Sequence, residues 1–92
     1  MSKSIMQTEH ECYLCGRQFG LEAHHVFAGT ANRKLSEKYG LWVYLCHNCH
    51  TGNGGAQYEK ELNLRLKREA QEAFEREYDG ESFRDIFGKN YL

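Results

Sequence analysis

No residue of the 92 is proline, and no repeat, low-complexity tract or linker divides the chain, so one small domain is expected. Also missing is any apolar run approaching the ~20 residues of a membrane-spanning helix, which excludes a helical span. No apolar stretch follows Lys3, so the segment from Met1 to His10 does not read as a secretory signal, and a cytoplasmic location is expected. Excess positive charge is absent too: 12 Lys and Arg stand against 13 Asp and Glu, a formal net charge of −1. That disfavours a protein that grips nucleic acid by bulk charge, without excluding a nuclease. Core volume is the last shortage. A chain this short buries only about 60% of its unfolded surface, so a staple beyond apolar packing is expected.

What is present is chemistry concentrated in one half. All 4 Cys and all 5 His (His10, His24, His25, His47, His50) fall within residues 1–50, against a globular background of 40% hydrophobic and 27% charged residues. The first half is nearly balanced in charge, with Lys3, Arg17, Arg33, Lys34 and Lys38 facing Glu9, Glu11, Glu22 and Glu37. The second half is richer in acids and reads as scaffold. Thiols stay reduced in the cytosol, where spaced cysteines read as metal ligands before disulfides.

Residues 1–11 are polar and aperiodic and read as a flexible lead-in. Cys12-Tyr-Leu-Cys15 sets two thiols about a tight turn, and Gly16 suits the positive φ that follows one. A weak alternation from Leu21 predicts a short strand running to Phe27. Thr30 reads as the cap of a helix from Ala31 to about Tyr39, with Gly40 as its stop. Leu41-Trp-Val-Tyr-Leu45 predicts a second strand, which feeds into Cys46-His47-Asn48-Cys49-His50. A glycine-rich loop follows over 51–55. From Gln57 to Tyr78 apolar residues recur every three to four positions, which predicts a long amphipathic helix. Ser82-Phe-Arg-Asp85 resembles a capping box for a last short helix to Phe87, closed by Gly88. Trp42, Tyr44, Phe74 and Phe83 are expected in the core.

Cys12-x-x-Cys15 and Cys46-x-x-Cys49 are matched knuckles separated by residues 16–45. Two such knuckles present the four thiolates that tetrahedral zinc requires, so a structural Zn²⁺ is expected to clamp the base of the excursion between them. Four thiolates saturate the ion and exclude catalysis at it. The clamp would also bring Glu22-Ala23-His24-His25-Val26 near His50, one residue beyond the last sulfur. Adjacent strand residues point to opposite faces, so His24 and His25 cannot both be core.

The order knuckle, strand, His-His-hydrophobic, excursion, strand, Leu-Cys-x-x-Cys-His resembles the zinc-stapled branch of the HNH endonucleases. The resemblance covers about Cys12 to His50, and the long helix ending in Phe-Gly-Lys-Asn-Tyr-Leu is similar to small HNH proteins encoded by phages and prophages. It implies an α+β fold: a treble-clef-like ββα-metal core over residues 12–55, then the helical part over 56–92, all one HNH domain. It implies a metal-dependent DNA endonuclease or nickase, a phosphodiester hydrolase. In it His25 is the general base, and His24 and His50 bind a catalytic divalent ion such as Mg²⁺, Mn²⁺ or Ni²⁺, with Asn53 as a further ligand. His50 would stand at the start of the motif's helix. A His with pKa near 6.5 suits the removal of a proton from water at neutral pH. Arg33, Lys34, Lys38 and His47 are candidates for contacting DNA. Lys60, Arg65, Lys67 and Arg68 are explained by i,i+4 pairing with interleaved Glu. Expected partners are DNA and further phage or host proteins, with no membrane. One departure is plain: where the family places a middle Asn that orients the base, this chain has Gly40-Leu41, so a backbone carbonyl is the expected substitute for holding His25. The other reading from these residues is a nuclease-dead, zinc-stapled module that binds nucleic acid or protein.

Overall fold

The computed structural model describes residues 2–52 and 59–92. Strand β1 (Leu21–His25) pairs antiparallel with β2 (Trp42–Cys46), and the register sets Leu21 opposite Cys46, His24 opposite Val43 and His25 opposite Trp42. Cross-strand partners share a face, so His24 lies with Val43 on the buried side and His25 with Trp42 on the other. β1 ends before Phe27. Val26 keeps one further bond, its N–H to the Leu41 carbonyl at 3.2 Å, and Phe27 then turns into the core. There Ser36 Oγ accepts the Phe27 N–H at 3.2 Å and donates to the Phe27 carbonyl at 3.1 Å.

Helix α1 (Thr30–Tyr39) fills the excursion between the strands. Its cap is Gly29, at φ 94 and ψ 156, and not Thr30, which is already helical. That backbone region is open essentially to glycine alone, and no side chain caps the first turn. Gly40 ends α1 in the left-handed region as expected. A one-turn helix α2 (His47–His50) follows β2 directly. Helix α3 (Lys60–Glu77) buries Leu66, Ala70, Ala73 and Phe74 along one stripe. The expected start at Gln57 lies outside the described residues. Helix α4 (Phe83–Phe87) is capped as its sequence foretold, with Ser82 Oγ accepting the Asp85 N–H at 3.2 Å and Gly88 closing it.

The core is aromatic where α1, α3 and α4 meet. Phe27, Tyr39, Phe74, Phe83 and Phe87 pack ring on ring, with centroids 4.6 Å apart for Phe83 and Phe87 and 4.8 Å for Phe27 and Phe87. Each such side chain contributes about 1.5–3 kcal/mol by burial. Trp42 joins the buried set as expected, but Tyr44 remains half-buried beside His10, ring centroids 4.5 Å apart.

The lead-in is docked rather than loose over residues 2–7. Ile5 N–H bonds the Gly40 carbonyl at 2.9 Å, Gln7 Oε1 accepts the Tyr44 N–H at 2.9 Å, and Trp42 Nε1–H bonds the Ser2 carbonyl at 2.8 Å. The physical reason is that β2 has one strand neighbour, so its outer edge needs other partners for its backbone groups. Polarity that reads as solvation in the sequence serves here as edge pairing.

Ser36 is fully buried with both of its bonds on one residue, so Ser36→Ala leaves the Phe27 N–H and carbonyl without their partner. A loss of about 1–3 kcal/mol is expected, read as a lower urea midpoint at unchanged slope.

Candidate metal centre and histidine cavity

The first knuckle is shaped by its own backbone. Gly16 N–H returns to the Cys12 carbonyl at 2.8 Å, Gly16 takes φ 82, and Cys12 N–H reaches the Arg17 carbonyl at 2.7 Å. Tyr13 N–H bonds the Tyr44 carbonyl at 2.8 Å, which ties this knuckle to β2. The second knuckle begins on the last residue of β2, Cys46, and ends inside α2 at Cys49. All four sulfurs lie within 4.8 Å of one another, and Cys15 and Cys46 Sγ are 3.6 Å apart. A tetrahedral ion with bonds of about 2.3 Å to sulfur needs sulfurs roughly 3.8 Å apart, so the cluster is positioned to bind a metal ion such as zinc. Burial opposes ionisation of Cys12, yet hydrogen bonds from the backbone of Cys46, Cys15 and Leu14 outweigh it and lower this thiol to about 6. Burial pushes Cys49 the other way, reinforced by the neighbouring sulfurs. Cys12 therefore gives up its proton readily, whereas Cys49 holds its own unless a cation replaces it.

The histidines converge a short distance away. β1 ends with His24 and His25, and α2 ends with His50, and all three line one open cavity of ≈ 650 Å³. The rings of His24 and His50 stand edge to face at 5.1 Å. His24 is 7% exposed, and its Nε2 is buried with no hydrogen-bond partner among the described residues. Burial, then repulsion from His50, His25 and Lys67, lowers its pKa to about 4, so its imidazole is neutral at pH 7. Buried polar atoms are nearly always paired, so an unmet imidazole nitrogen in this position is an exception.

Two carboxylates orient the other two rings. Glu22 Oε1 lies 2.8 Å from His50 Nδ1, and Glu37 Oε1 lies 3.1 Å from His25 Nε2. An ionised carboxylate only accepts, so each of these nitrogens carries its ring's proton. That leaves the lone pairs at His50 Nε2 and His25 Nδ1. The hydrogen bond from His50, with a smaller one from His47, holds Glu22 below the usual carboxylate range. The group that holds His25 is thus the Glu37 side chain on α1, where the sequence reading expected a backbone carbonyl.

The remaining predicted residues separate clearly. Arg33 lines the cavity, whereas Lys34 does not, and Lys38 lies over the Tyr39 ring at 5.2 Å from its centroid. His47 is exposed, with Nδ1 at 3.5 Å from Glu22 Oε2 and 3.2 Å from Thr51 Oγ1. His50 stands at the end of its short helix rather than at the start of one. Asn53 lies outside the described residues. Glu22, Glu37, Asn63 and Lys67 were missed, and the last two bring α3, read as pure scaffold, into the cavity wall. Arg65 does pair with Glu69 at i,i+4, 2.9 Å apart, but Lys67 has Asn63 and Gln71 at those spacings and no acid to meet. That lack was visible in the sequence.

Among the described residues the four cysteines are the one group of three or more His, Cys, Asp or Glu whose donor atoms cluster closely enough for an ion. No protein-family model matches the chain, and no curated protein or solved structure matches it significantly.

With so small a core, the bound ion and the fold are expected to be inseparable. Cys46→Ser should bind less than one zinc per chain by elemental analysis and lose its native circular dichroism. Retention of both the spectrum and the melting temperature would contradict this.

Proposed function

We propose that the protein is a metal-dependent DNA endonuclease or nickase of the HNH type, with the four cysteines holding a structural Zn²⁺. The observation that carries this reading is His25, held by Glu37 and lining a cavity that His24 and His50 also line. An antiparallel strand pair followed by a helix supports a ββα-metal core, and the cysteine cluster beside it supports the zinc-stapled branch of that family.

Phosphodiester hydrolysis needs a water deprotonated in line with the departing 3′ oxygen. His25 Nδ1 takes that proton, since Glu37 keeps the ring's own proton on Nε2 and stabilises the cation that forms. A divalent ion such as Mg²⁺, Mn²⁺ or Ni²⁺ would supply positive charge against the leaving oxygen. His24 Nε2 and His50 Nε2 would hold it, with Asn53 as a further ligand. Both nitrogens fit that task, one because it is buried without a partner and the other because Glu22 engages the far side of its ring. Glu22 spans His47 and His50 and so fixes the second ring against β1. The products are a 5′-phosphate and a 3′-hydroxyl. DNA is the substrate and partner, with phage or host proteins as further partners in a cytoplasmic setting.

Supercoiled plasmid is expected to be nicked in Mg²⁺, Mn²⁺ or Ni²⁺, and brief EDTA treatment should abolish nicking while the fold persists. His25→Ala should keep the fold and cut cleavage by about 10²- to 10⁴-fold. Adding Glu37→Ala to that variant should cost little more, because the two side chains act as one unit. One zinc per chain and no nicking with any ion would instead leave a zinc-stapled binding module, the reading that the acidic balance of the chain favours.

A further inference from the structure

The cavity beside the histidines is cationic although the chain as a whole is not. No carboxylate is among the described residues that line it; Glu22 and Glu37 are each hydrogen-bonded to an imidazole that does. Its cations, Arg33 from α1 and Lys67 from α3, make no ion pair among the described residues. Lys67 Nζ rests over the Tyr91 ring at 5.6 Å from the centroid, a contact it can leave at small cost.

The first turn of α1 opens onto the same cavity through Gly29 and Thr30. No side chain caps it and no acidic residue lies in it, so the N–H groups of Thr30, Ala31 and Asn32 have no partner within the helix. Where a Cβ would stand on Gly29, no atom lies within 4 Å, so the approach is clear. A second, independent feature points to a ligand here: His24, only 7% exposed, lines the same cavity, and its buried Nε2 has no hydrogen-bond partner among the described residues.

We infer that the α1 N-terminus, Arg33 and Lys67 form a cradle for one phosphate of the nucleic-acid strand, set beside His25. This rests on the nuclease reading and extends it, because it names how the strand is held where bulk charge is lacking. Helix N-terminal N–H groups and the positive end of the helix dipole suit an anion, and two cations from different elements close on it from the sides. The phosphate contact positions the strand and carries no sequence information.

The test uses the zinc-loaded full chain. Inorganic phosphate, titrated against ¹⁵N-labelled protein, should shift the amides of Thr30, Ala31 and Asn32, and Lys67→Gln should weaken that response. In a second arm a short DNA duplex is bound by the His25→Ala variant, which prevents cutting. Adding Lys67→Gln or Arg33→Gln should weaken binding and lower the slope of log affinity against log salt by about 1. Lys60→Gln, exposed at the start of the same helix, should leave the slope unchanged. Amides that ignore both phosphate and duplex, or a slope unaffected by Lys67→Gln, would overturn the cradle even if the wild type nicks plasmid. A wild type that never nicks, but whose α1 amides respond to phosphate through Lys67, would keep the cradle and remove the nuclease.

Discussion

Four sulfur atoms within 4.8 Å of one another set the geometry of everything around them. Cys46 closes β2 and Cys49 lies one turn further on, so an ion at the cluster fixes the direction in which α2 leaves the sheet. His50 follows Cys49 directly, and that direction brings its ring to 5.1 Å from His24. Strand pairing alone would not do this, because β1 and β2 share only five residue pairs and a two-stranded ribbon is marginal in water. The cysteine cluster and the histidine cavity are therefore one construction, and an ion bound at the first would act as foundation for the second.

Charge within the cavity follows a consistent pattern. Glu22 and Glu37 each engage one nitrogen of an imidazole that lines it and leave that ring's lone pair on the other nitrogen. His24 has no such partner among the described residues, and burial together with neighbouring positive charge keeps it neutral. Three imidazoles in one small space would repel one another if protonated. Two carboxylates and one buried ring resolve that conflict while leaving Arg33 and Lys67 free of ion pairs among the described residues.

Local patterns were legible in the sequence and long-range ones were not. The knuckles, the Ser82 cap and the apolar stripe of α3 each depend on spacings of two to four residues, and each stands where the sequence put it. The cap of α1 was misjudged because Thr is the better N-cap by propensity, whereas here Gly29 occupies a conformation that only glycine tolerates. Glu22 was half visible, since it shares a strand face with His24. Glu37 was not visible at all. Its approach to His25 depends on how α1 docks against β1, which no local spacing encodes.

Gly40 leaves no room for a side chain at the turn before β2. A side chain there would run into the Lys3 carbonyl, and the backbone sits at φ 73, so an Asn at that position would be strained and would displace the lead-in. The lead-in in turn holds the end of α1: Ser2 N–H bonds the Glu37 carbonyl at 3.1 Å, and Ser2 Oγ donates to the Lys38 carbonyl at 3.0 Å. The same backbone that excludes a side chain at 40 thus braces the residue whose carboxylate reaches His25. Glycine at the turn, a docked lead-in and a glutamate one turn earlier on α1 form a single solution to the problem of fixing one imidazole. The segment that sequence polarity marks as loose is mechanically part of the site.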